Sequence, residues 1–96
     1  MFVQTIEIRT GDVEAIERAV QEYEAATEGA RTVRRSTLLQ DRADPGRYLV
    51  VVEFDSAESA ERNSELPATG ALAAKIAELA DAPLVFHDFD LRYQHH

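Results

Sequence analysis

The octapeptide RYLVVVEF at positions 47–54 constrains this chain more than any other stretch. An extended strand turns successive side chains to opposite faces, so Tyr48, Val50, Val52 and Phe54 share one side and Leu49 and Val51 the other. Both sides are apolar. A half-buried strand alternates with polar residues, whereas one that does not needs cover on each face. The fold must therefore supply two layers of cover, or one layer and a partner.

The length limits how much cover the chain itself can provide. With 96 residues, 45% of them hydrophobic, the chain is near the size at which one core supports itself. Residues 1–94 are expected to form a single domain, with His95 and His96 a disordered end or a tag remnant. The absence of Cys rules out a disulfide framework, a thiolate nucleophile and a sulfur metal site. The opening MFVQTIEIRT has no basic start followed by an apolar core, and no apolar run reaches the roughly 20 residues that span a bilayer. The expectation is a soluble, cytoplasmic protein. A formal charge of −8 opposes phosphate neutralisation, so neither nucleic acid nor an anionic membrane is an expected partner. The charge is uneven: the segment 7–28 is acidic, while 31–47 carries Arg31, Arg34, Arg35, Arg42 and Arg47 against Asp41 and Asp44.

Hydrophobic period places the other elements. Residues 2–9 alternate, with Phe2, Gln4, Ile6 and Ile8 on one side, and predict a first strand. Asp12 is placed to cap a helix in which Val13, Ile16, Val20 and Tyr23 recur at helical spacing up to the stop at Gly29. Residues 31–40 predict a second strand at a sheet edge. Asp44-Pro45-Gly46-Arg47 predicts a tight turn with Pro second and Gly third, joining that strand to RYLVVVEF as a hairpin. After it, Asp55 and Ser56 compete to cap a short helix that Pro67 ends or kinks. Thr69 and Gly70 are expected to restart it, with Leu72, Ile76 and Leu79 as its stripe, until Pro83. Residues 84–93 predict a fourth strand with Val85, His87, Phe89, Leu91 and Tyr93 on one side.

The order βαββαβ with a tight central hairpin is a ferredoxin-like α+β arrangement, a four-stranded antiparallel sheet with both helical crossovers on one face. The other face is then bare. A buried Val or Leu contributes about 1.5–3 kcal/mol relative to exposure. Leaving Leu49, Val51 and one side of the fourth strand in water would forfeit several of the roughly 5–15 kcal/mol that hold a domain together. A second copy packed sheet to sheet is the simplest cover, so a homodimer is expected.

The phrases MFVQ, FDSAESAERNSELP, ATGALAAKIAEL and VFHDFDL, in this order across the whole chain, resemble the dimeric α/β-barrel superfamily, and within it the antibiotic-biosynthesis-monooxygenase-like domains. The resemblance implies a homodimer whose sheets form a barrel, with an apolar pocket between sheet and helices in each subunit. It also implies an activity: cofactor-independent monooxygenation of a small aromatic or polyketide-like substrate, with neither metal nor flavin. Some relatives degrade haem and others have no known activity, so a non-catalytic module binding a small apolar ligand is the alternative. This sequence departs from the quinone-forming and haem-degrading members in having no Trp for the pocket.

Few residues are equipped for chemistry. His87, alone on an apolar strand face, is the expected catalytic base or orienting group for a phenol, its ordinary pKa near 6.5 suiting proton exchange; its other reading is a core or interface histidine. Asn63, at the break before Pro67, is the second expected catalytic residue, bonding a ligand carbonyl; the competing role is to cap the break. Gln4, Tyr23, Tyr48 and Arg35 are the expected pocket residues. Against that stand a satisfied buried amide for Gln4, core packing for Tyr23, and a solvated edge arginine or an intersubunit ion pair for Arg35. No metal site is expected, because the adjacent His87 and Asp88 point to opposite faces.

Overall fold

The computed structural model describes residues 1–95, and the reading of His96 as a disordered end or tag falls outside them. His95 is exposed and belongs to no helix or strand. The elements run β1 (Phe2–Arg9), α1 (Val13–Ala26), β2 (Val33–Gln40), β3 (Arg47–Phe54), α2 (Ala57–Ser64), α3 (Pro67–Leu79) and β4 (Val85–Asp90). The strands form one antiparallel sheet in the order β2-β3-β1-β4. This is the ferredoxin-like βαββαβ fold, with the second crossover divided into two helices.

Register decides which residues meet the helices. Ile6 pairs with Val50 and Ile8 with Tyr48, and their side of the sheet packs against Ile16 of α1 and Ile76 of α3 to make the buried core. Val13, Val20, Leu72 and Leu79 extend it along the helix stripes that the sequence spacing predicts. On the other side lie Val3, Thr5 and Glu7 of β1, Leu49 and Val51 of β3, Thr37 and Leu39 of β2, and Val85, His87 and Phe89 of β4. None of the three helices covers that side. Leu39, Val85 and Phe89 are 46%, 41% and 52% exposed.

Three boundaries and one turn differ from the sequence reading, each for a local reason. β2 begins at Val33 rather than position 31, because the Arg31 and Thr32 backbone N–H groups are drawn away to the Thr27 carbonyl (3.0 Å) and Asn63 Oδ1 (3.0 Å). β4 stops at Asp90 rather than 93 because its partner β1 runs out: the Leu91 N–H bonds the Met1 carbonyl at 3.0 Å and no strand lies beyond. α3 starts at Pro67 itself, not at Thr69–Gly70; proline at the first helical position lacks only an N–H that the helix would leave unpaired. In the β2–β3 turn the Arg47 N–H bonds the Asp44 carbonyl at 2.9 Å, yet Gly46 has no positive φ. Its glycine is thus not needed for a left-handed backbone, which among the described residues occurs at Gly29, φ 82°. Of the competing caps, Ser56 wins α2, accepting from the Ser59 N–H at 3.1 Å, while Asp55 pairs with Arg34.

Candidate functional site

Between the helix-facing side of the sheet and the three helices lies a cavity of about 320 Å³, at the small end of the range for ligand sites. Its walls are apolar: Ile6, Val50, Val52 and Phe54 from the sheet, Val20, Leu72 and Ile76 from the helices. Polar groups enter at three places, one of them formed by Glu24 with Arg31, Arg34, Arg35 and Ser36 at the start of β2. Gln4 lines it from β1 and donates from Nε2 to Asp88 Oδ1 of β4 at 3.1 Å. At the α2–α3 break Asn63, Tyr23 and Thr69 converge.

The convergence follows from the chain's punctuation. α2 ends at Ser64 and α3 begins at Pro67, so Asn63 sits in the last turn of a helix that goes no further and turns inward. Asn63 is 5% exposed. A buried amide must find partners at both ends: its Oδ1 accepts from the Thr32 backbone N–H at 3.0 Å, and its Nδ2 donates to Tyr23 Oη at 3.0 Å. Tyr23 Oη in turn lies 2.9 Å from Thr69 Oγ1, where either hydroxyl can donate. The Asn63 bond leaves the phenol proton free to serve Thr69 or a ligand oxygen. What these groups can do is donate: they suit an oxygen that carries or develops negative charge.

The six residues singled out in the sequence do not meet in one place. Gln4, Tyr23, Asn63 and Arg35 all line the cavity. The Asn63 side chain does not cap the break, the structural role weighed for it; it braces the entry to β2 through the Thr32 N–H instead. The Arg35 guanidinium is turned to Glu53, donating from Nε at 2.6 Å and Nη2 at 3.3 Å, and this bond draws the Glu53 carboxyl below its usual range. Tyr48 does not line the cavity; it is a core residue, 8% exposed, whose Oη accepts from Gln40 Nε2 at 3.2 Å. His87 is on the opposite face of the sheet, because it pairs with Thr5 while Gln4 and Ile6 face the helices. His87 and Asn63 therefore cannot touch one ligand within a subunit. Its nearest aromatic neighbour is Phe89, ring centroids 6.3 Å apart.

Two residues of this site went unnoticed in the sequence reading as site residues. Thr69 looks like a helix-start residue, and only the approach of α1 to α3 brings it to Tyr23. Arg31 looks like one more strand arginine, yet it stands in the loop before β2 and lines the cavity. Among the described residues, no cluster of three or more His, Asp or Glu side chains could hold a metal ion. Among the same residues, no helix is long and apolar enough to cross a membrane.

Fold and cavity together define a class: a ferredoxin-like α+β domain with an apolar chamber between its sheet and its helices. Within that class, residues 1–75 match the family model of antibiotic biosynthesis monooxygenases, and the chain belongs to that family. No curated protein matches it. Among solved structures, a Nitrosomonas europaea protein carrying the same family description is 18% identical, with TM-score 0.76, over 97% of this chain and 100% of that one. Rv0793 from Mycobacterium tuberculosis is 14% identical with TM-score 0.76, and each chain is fully covered. A conserved protein from Methanosarcina mazei Go1 is 8% identical with TM-score 0.80, over 96% of this chain and 94% of that one. At these identities the likeness is one of fold.

Proposed function

We propose that this protein is a cofactor-independent monooxygenase acting on a small aromatic or polyketide-like molecule held between sheet and helices. The observation that carries the reading is the apolar cavity with the Asn63–Tyr23–Thr69 hydrogen-bond chain on its wall. Without a cofactor the substrate must supply the electrons, which requires a CH₂ group conjugated to phenols or ketones. Loss of a proton from that carbon to solvent water, which returns it when the product water forms, leaves an enolate, whose oxygen the Asn63 and Tyr23 donors stabilise. Dioxygen then delivers one atom to the carbon, making a ketone, and leaves with the other as water: R₂CH₂ + O₂ gives R₂C=O + H₂O. The protein is further proposed to work in the cytoplasm as a homodimer through the helix-free sheet face. The exposed apolar side chains Leu39, Val85 and Phe89 there support this, and the arrangement puts His87 at the interface rather than beside the substrate.

The test is oxygen consumption with a hydroxylated tricyclic substrate bearing such a CH₂ group, with no added metal or flavin. Turnover should fall in Asn63→Ala and Tyr23→Phe by about tenfold or more, as for a lost oxyanion donor. A specific observation favours a second reading: Glu24 is the one carboxylate among the cavity residues, and no histidine lines it. With so little to take up a proton, the chamber suits a non-catalytic binding module. Saturable binding of the tricyclic without oxygen uptake would decide for that module, and absence of binding would end both readings.

A further inference from the structure

We infer that the ligand of this cavity carries an acidic group, a carboxylate or a comparably acidic phenol, and that Arg31 is the residue that selects for it. The inference rests on the proposed use of the cavity as a ligand site and adds the chemical class of the ligand. Arg31 and Arg34 line the chamber with one carboxylate, Glu24, in a chain whose formal charge is −8; Arg35 also borders it, but the β2–β3 register sets its guanidinium beside Glu53, on the side of Leu49 and Val51. A cation left without an ion pair beside an apolar chamber in an acidic protein favours entry of an anion there.

The three cations are not equivalent. Arg35 spends both Nε and Nη2, the side of the guanidinium that takes a carboxylate two-handed, on Glu53. Arg34 is paired with Asp55. Arg31 is half-buried, and among the described residues it makes no ion pair. Its two hydrogen bonds both leave from Nη1, to the Glu24 carbonyl at 2.7 Å and to Thr27 Oγ1 at 3.3 Å. They fasten the guanidinium to the last turn of α1 through neutral acceptors, so its charge is not cancelled, and its Nε and Nη2 donors have no partner among the described residues. A fixed guanidinium with that edge open is the geometry for bidentate recognition of a planar anion. Restraint by α1 also means that little side-chain freedom remains to be lost on binding.

The test uses the full chain and two probes of similar size, 2-naphthoate and the neutral 2-naphthylmethanol, titrated by calorimetry. The carboxylate should bind about tenfold more tightly at low ionic strength, in keeping with a charge-assisted hydrogen-bonded pair, and that ratio should shrink as salt is raised. Arg31→Gln should bring the two probes to equal affinity by weakening naphthoate alone, Arg31→Lys should keep part of the preference, and Glu24→Gln should widen it. Should Arg31→Gln not fold, for want of its bonds to α1, the wild-type ratio, its salt dependence and Glu24→Gln still decide. Equal affinity of the wild type for both probes, or a preference that survives in folded Arg31→Gln, overturns the inference while leaving the cavity reading standing. Failure of the wild type to bind either probe overturns both.

Discussion

The side-chain amide of Asn63, in the last turn of α2, donates to the phenol oxygen of Tyr23 in α1 over 3.0 Å. One bond thus joins two helices 40 residues apart in sequence and aims a phenol along the wall of the chamber. Because the same amide accepts from the Thr32 N–H, the group that shapes the site also holds the entry to β2. A structural role and the proposed functional one fall on Asn63, and experiments must separate them.

Stability measures the first role. Asn63→Ala leaves the Thr32 N–H and the Tyr23 hydroxyl short of a partner in a buried place, at a cost of about 1–3 kcal/mol. Tyr23→Phe removes the middle hydroxyl of the chain and leaves the Asn63 amide donor unpaired, costing about 1 kcal/mol. Urea unfolding at neutral pH checks both, and an Asn63→Ala midpoint equal to wild type would mean that water replaces the amide at no cost.

The exposed sheet face predicts its own behaviour. Phe89 and Val85 lie on the side away from the cavity, so Phe89→Lys should raise the dimer dissociation constant by about tenfold or more, through lost apolar burial and an unpaired buried charge. Binding of 2-naphthylmethanol in the cavity should stay as it is. Sedimentation velocity over a concentration series reads the first effect, and a wild type that is monomeric at micromolar concentration would remove the sheet-to-sheet dimer altogether.

Acid stability should depend on Glu53. Its carboxyl is held below the usual range chiefly by the hydrogen bond from Arg35, and Asp41 is lowered likewise by the Ala43 N–H and by Arg47. A carboxylate with a depressed folded-state pKa contributes stability that is complete above the unfolded value, near 4.3 for Glu, and is lost as pH falls through the folded value. Glu53→Gln should therefore be less stable than wild type at pH 7, and the difference should narrow as the pH is taken below about 4. Denaturation midpoints between pH 7 and pH 3 test this; a gap that stays constant would show that the pair does not couple to protonation.

Much of this architecture was legible because its signals are local. The two-sided apolar pattern of RYLVVVEF, the helical spacing of Val13, Ile16, Val20 and Tyr23, and the turn at Asp44–Arg47 each depend on residues a few positions apart. The pairing of Tyr48, Val50 and Phe54 against Leu49 and Val51 appears in the sheet as the sequence alternation requires. The site was less legible. Gln4, Tyr23 and Asn63 were identified by residue type and reach the cavity, but Tyr48 is core, and Arg31 and Thr69 carry no sequence signal that separates them from a strand arginine and a helix-start threonine.

His87 marks the boundary between the two kinds of information. Alternation alone says that Val85, His87 and Phe89 share a side of their strand, and it says no more. Whether that side meets the helices is set by the β1–β4 register, in which His87 stands opposite Thr5, and a slip of one residue would have exchanged the faces. The sequence by itself determined the elements, their order and the surplus of apolar surface, since these follow from periodicity and turn chemistry within short windows. Only the tertiary structure decided which polar groups share the chamber, because that depends on strand register and on how helices distant in sequence approach one another.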